Sequence, residues 1–338
     1  MSNYAYAATR VRARRSRLLG SESYAQLLNM EFSEIARYIQ DLEYRREIDK
    51  YGATLRGADL LEAALLDNRS TEIGEVIGFC TGDLRMGVAA YAERYNVRAI
   101  KVLLRGIFDE VNSEELLKQV SPMSDNQLDL YTQIAASENI EGAVEQLEGT
   151  KYYELLQEAL ENRKSDSLQP LEDALDKAYY QDLVSSLPSS GAADRIYRGF
   201  VQIQIDVANL KTVMRLRHRG LGGHGELLIS GGNIDETLLT ATTNVSDIVP
   251  ILEGTAYQEV LQPIFENFED NGLNKAIQAL ENHVSITSRR YSYLYPLSIL
   301  PILDYLLRKE KEVRNLRTIV RGKDLKLSNE RIKEIMVV

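Results

Sequence analysis

The chain has 338 residues, 44% of them hydrophobic, with 50 acidic against 40 basic side chains and a formal net charge of −10. That length allows two or three domains with real cores, and the acidic balance argues against a nucleic-acid binder, whose footprint is basic. A single cysteine, Cys80, excludes an intrachain disulfide framework or a cysteine zinc cluster, and the three histidines (His218, His224, His283) are scattered. Strand-type alternation is absent and helical spacing dominates, so the fold class is all-α.

In chain order, residues 1–19 read as one helix, basic on its exposed side, without the apolar core of a signal peptide. Helical patterns come next at 24–29 and 32–51, the second carrying Ile35, Ile39, Leu42 and Ile48. Residues 60–66 form a short apolar segment. The glycine-punctuated stretch 74–87 leads into a decapeptide at 96–105.

That decapeptide recurs at 206–215 and 312–321, starting 110 and then 106 residues later. Valine is second, Ile or Leu fifth, Lys or Arg sixth and Arg tenth in every copy. The apolar second, fifth, eighth and ninth places share one face of a helix, and the sixth and tenth stack two cations. Gly106 and Gly322 come directly after, where a left-handed residue would close the helix; the second copy runs on to Gly220. A second block, Leu-Glu-Gly-Thr at 147–150, recurs at 252–255, with a blurred equivalent around Ile39, Tyr44 and Ile48. A third links Ala64-Leu65, Ala174-Leu175-Asp176 and Ala279-Leu280-Glu281. Three blocks in one order at one offset predict a triplicated helical unit, too long for a solenoid repeat. The expected domains are 1–110, 111–222 and 223–338. Chain ends that each hold part of a repeat would complement one another in a closed, three-fold arrangement.

The chemistry-bearing candidates are few. The glycine spacing from Gly220 to Gly225 imitates a dinucleotide fingerprint, but it comes after a helix rather than a strand and reads as a flexible connector. The paired cations Lys101/Arg105, Lys211/Arg215 and Arg317/Arg321 either balance helix C-termini and internal carboxylates or face an acidic partner. Clustered tyrosines (Tyr152, Tyr153, Tyr179, Tyr180, Tyr291, Tyr293, Tyr295) read as packing groups. No acid–base, nucleophile or metal constellation forms, so no catalytic residue, cofactor or metal is expected. The apolar run 294–307 is too short for a membrane span and contains two prolines.

The chain resembles the C subunits of archaeal-type (A/V-type) rotary ATP synthases, relatives of the d subunit of the vacuolar proton pump. The resemblance covers essentially the whole length. It rests on the opening Tyr4-Ala5-Tyr6-Ala7-Ala8-Thr9-Arg10-Val11-Arg12-Ala13, the triplicated decapeptide, Leu147-Glu148-Gly149-Thr150, and Tyr295-Pro296-Leu297 running into Arg314-Asn315-Leu316-Arg317. Ala99 stands where the other copies have Asn209 and Asn315. The resemblance implies a funnel of three similar helical domains around a pseudo-three-fold axis. It implies a non-catalytic rotor adaptor on the cytoplasmic side of the membrane. Its partners would be the central-stalk subunits D and F and the proteolipid of the membrane rotor ring, with no nucleotide or nucleic acid. The competing readings are a soluble helical scaffold and a helical enzyme with a central pocket.

Overall fold

The structure is a computed structural model and describes residues 2–161, 167–187, 192–266, 268 and 272–337. Among these residues there is no strand. Seven helices have twelve residues or more: α1 (Tyr4–Arg15), α2 (Gly57–Phe79), α3 (Gly82–Phe108), α4 (Gln169–Ser185), α5 (Ala192–His218), α6 (Gly272–Leu294) and α7 (Leu300–Asp324). Short helices fill the connections. No helix among the described residues is long and apolar enough to cross a membrane.

The three decapeptides lie in the C-terminal halves of α3, α5 and α7. All twelve of their apolar places are buried, from Val97 and Ile100 to Ile319 and Val320. Each such burial stabilises by roughly 1.5–3 kcal/mol, so this face fixes how the helices sit. Each decapeptide packs mainly against chain that lies C-terminal to it. The first shares an apolar cluster with Leu116, Tyr131, Leu147 and Leu175. The second packs with Leu239, Leu252, Leu261 and Leu280. The third shares its cluster with Ile332 and Met336 and with Leu27, Ile39, Leu61 and Leu65 from the N-terminal part. The two ends of the chain therefore complement each other.

Polar contacts repeat as well. The decapeptide's first residue anchors tyrosines in each copy: Tyr131 Oη donates to Asn96 (2.8 Å), Tyr257 Oη to Asp206 (2.8 Å) and Tyr44 Oη to Glu312 (2.5 Å). Tyr152, at the place of Tyr44 and Tyr257, donates to Glu93 Oε1, which also accepts from Asn96. Asn209 clamps the backbone of Ile229 through both its N–H and C=O at 2.8 Å, and Asn315 clamps Val337 likewise at 2.9 and 3.0 Å. Ala99 can make no such clamp, so the loop after the first copy is held without it.

Several local expectations need correction. The first helix covers only Tyr4–Arg15, and Arg14 and Arg15 turn inward to Glu72, Glu75 and Asp304. The 32–51 pattern is two helices, Phe32–Gln40 and Arg45–Tyr51. The segment 60–66 belongs to α2, which continues through Gly74 and Gly78; burial of Leu61, Leu65, Ile73 and Val76 outweighs the poor helix propensity of the glycines. Gly106 and Gly322 are not left-handed. They lie inside α3 and α7, where a Cβ would stand 1.8 Å from Leu116 Cδ2 and 2.6 Å from Ile332 Cγ1. Their job is to let the next short helix approach. The left-handed residues are Glu110, Gly220 and Lys326, each fourteen places after its decapeptide begins. In each copy the next N–H reaches back five residues: Val111 to Gly106, Leu221 to Leu216 and Leu327 to Gly322, at 2.8–3.0 Å. The second helix therefore ends in the same register as the others.

Candidate functional site

The long helices touch through their N-terminal halves, α3 meeting both α5 and the start of α7 and reaching α7 as far as mid-helix. Tyr197 Oη of α5 donates to the Gly87 carbonyl of α3 (3.3 Å), a Cβ on Gly87 would meet Ile299 Cδ1 at 3.0 Å, and Tyr95 Oη donates to Leu306 O of α7 (3.3 Å). At the decapeptides each helix is braced by a different neighbour, and the space between them is a cavity of about 830 Å³. All six cations singled out by the repeat line it. The lining holds ten Lys and Arg against five Asp and Glu, a basic interior in an acidic protein.

Carboxylates of the bracing helices take most of these cations. On α3, Lys101 pairs with Asp176 (2.6 Å) and Arg105 forks onto Glu172 (2.5 and 2.7 Å), both on α4. On α5, Lys211 pairs with Glu281 of α6 (2.6 Å). On α7, Arg317 stands 3.8 Å from Glu62 and Arg321 reaches Asp59 (3.1 Å) and Glu62 (2.5 Å), all on α2. Arg215 is exposed and meets no carboxylate among the described residues. The physical reason is one substitution between repeats: Ile277 occupies the place that Glu62 and Glu172 hold.

The cavity also contains residues that the repeat pattern does not reveal. Arg94 and Arg98 extend the α3 stripe backwards at i, i+4, i+7 and i+11 with Lys101 and Arg105; the equivalent residues are Gln204 and Ala208 on α5, and Glu310 and Arg314 on α7. The spacing is present in the sequence, but the side-chain types differ between copies and hide it. Arg98 pairs with Glu310 and lies in the field of Arg94 and Arg69, with its side chain still about half exposed. Asp173 is only 8% exposed, its Oδ2 has no partner among the described residues, and burial raises its carboxyl to about 6 despite a bond from Gln169.

The glycine loop is not a phosphate cradle. Arg217 is buried beneath it and donates to the carbonyls of Leu221, Gly223, Leu239 and Thr240 and to Thr242 Oγ1 at 2.6–3.3 Å. Carbonyls drawn inward onto a guanidinium tie the loop down, which corrects its reading as a flexible connector. Of the tyrosines, Tyr152, Tyr179 and Tyr180 are buried, whereas Tyr293 and Tyr295 are exposed. Among the described residues no three His, Cys, Asp or Glu side chains converge as metal ligands would.

The ATP synthase (C/AC39) subunit profile matches residues 7–335. The chain belongs to that family. It is 34% identical to the A-type ATP synthase C subunit of Methanosarcina acetivorans, an alignment covering all of this chain and 93% of that one. It is 32% identical to the protein of the same name from Methanococcoides burtonii and 30% identical to that of Halobacterium salinarum, over all of this chain and 95% and 98% of theirs. The family match takes in all three decapeptides and their bracing helices, so the basic cavity lies wholly inside it.

Proposed function

We propose that the chain is a non-catalytic rotor adaptor of a rotary A-type ATP synthase. It receives the central stalk, subunits D and F, in its basic cavity and sits on the membrane rotor ring on the cytoplasmic side. The observation that carries this reading is the arrangement of α3, α5 and α7, which touch through their N-terminal halves and enclose a basic, 830 Å³ cavity beyond them. We take the repeat units 1–110, 111–222 and 223–338 as domains of a pseudo-three-fold funnel, each lending its last helix to the core of the next. That sharing suits a torque-bearing part, because shear between units must break apolar burial rather than surface contacts.

The six repeat cations are the proposed stalk-facing groups, with Arg215 foremost because its charge is not offset. Met86, 66% exposed, and Leu297, 67% exposed, with Leu294 and Tyr295, form the proposed ring-facing end, near where the long helices begin. The role requires no cofactor, metal or nucleotide of this chain.

Paired assays of ATP hydrolysis and ion uptake in reconstituted vesicles test the reading. Complexes lacking this subunit should keep hydrolysis in the soluble head and lose uptake, and adding the protein back should restore it. Parallel loss of both activities would place the chain in the catalytic cycle and overturn the adaptor role.

A further inference from the structure

Beside the main cavity lies a side chamber of about 150 Å³, walled by α3, α5, α6 and α7. Five cations line it, Arg94, Arg98, Lys211, Lys311 and Arg314, against only Glu281 and Glu310. Glu281 is shared by Lys211 and Arg314, and Glu310 is engaged by Arg98 through Oε1, its buried Oε2 meeting no donor among the described residues. Arg94 and Lys311 meet no carboxylate among the described residues. Arg94 spends one nitrogen on Tyr91 Oη (2.5 Å) and Gln204 Oε1 (3.0 Å), and its Nε has no partner. Gln204, 4% exposed, likewise leaves its Nε2 without a partner among the described residues. A buried donor without an acceptor costs free energy, and clustered cations repel; a bound anion relieves both.

We infer that this chamber is a binding site for inorganic phosphate, held by Arg94, Arg98, Gln204, Lys311 and Arg314. The donors come from three helices, which suits a tetrahedral dianion with four acceptor oxygens better than a planar carboxylate with two. The chamber has room for a phosphate. The site stands apart from the adaptor role, because it concerns the isolated chain.

Calorimetric titration of the full-length chain with sodium phosphate, against sodium chloride and sodium acetate at equal ionic strength, tests it. Saturable one-site binding of phosphate alone is expected. Gln204→Glu keeps the acceptor for Arg94 and sets a carboxylate where the free donor was. It should leave the melting temperature in chloride unchanged or higher while weakening phosphate at least about tenfold. Lys311→Met, on a different helix, should weaken it similarly and decides the matter if the first variant folds poorly. Equal responses to phosphate, acetate and chloride, or phosphate binding within about twofold of wild type in a folded variant, would overturn the site.

Discussion

Arg105 and Arg215 occupy the same place on equivalent helices of one cavity, yet one is forked onto a carboxylate and the other is not. Glu172 faces the first, and the matching place beside the second holds Ile277. A similar contrast separates Gly106 and Gly322 from Leu216, which keeps the register of the helix end but not its close approach to another helix. The three decapeptides share a frame of repeated contacts, and single-residue differences make its interior unequal. In the proposed socket, an asymmetric shaft needs such inequality to have one preferred orientation.

The contacts that the copies share should be the most costly to remove. Leu316→Ala should cost about 2–5 kcal/mol, because the side chain is fully buried, and Ile100→Ala and Leu210→Ala at the matching places should fall in the same range. Denaturant midpoints for the three variants check this. A cost near zero at one place would break the equivalence of the frames.

Asp173 comes next, since the third block has Gln278 in its place and the first has Ala63. Its folded carboxyl titrates near 6, above the ordinary 3.8, so the native state binds the extra proton between those values. The stability it contributes is therefore full below about pH 4 and lost as pH rises through 6, a cost of order 3 kcal/mol in the ionised form. Asp173→Asn should stabilise the protein increasingly from about pH 4 to 6 and by a constant amount above. Unfolding midpoints across that range that show no pH-dependent gap between the two proteins would refute the assignment.

A milder change tests the contrast between the two arginines directly. Ile277→Glu supplies Arg215 with the carboxylate its counterparts have, worth about 0.2–1 kcal/mol for an exposed pair. Stability should fall by about 1–2 kcal/mol, because Ile277 is partly buried against the second decapeptide's apolar cluster. Association with the proposed stalk partner should weaken, more at low salt than at high, because exposed charges are screened beyond ~10 Å at 0.1 M. Unchanged stalk affinity at low salt, about 20 mM, would remove Arg215 from the proposed interface.

The all-helical class, the recurrence of the decapeptide and its buried face are legible in the sequence alone. They come from local periodicity, and the same residue types recur because the same neighbours must be packed. The six repeat cations and the match of Tyr152 with Tyr257 are legible there too, with Tyr44 only a blurred equivalent. The close-approach role of Gly106 and Gly322 is not, because it arises only when Leu116 and Ile332 come back over them. Nor is the pairing of each cation with a carboxylate some 60 to 260 residues away, or the lack of one for Arg215. Helix periodicity reports which face of a segment is buried. Which distant side chain meets that face depends on how the segments close on one another, and here the last decapeptide closes onto the first bracing helix.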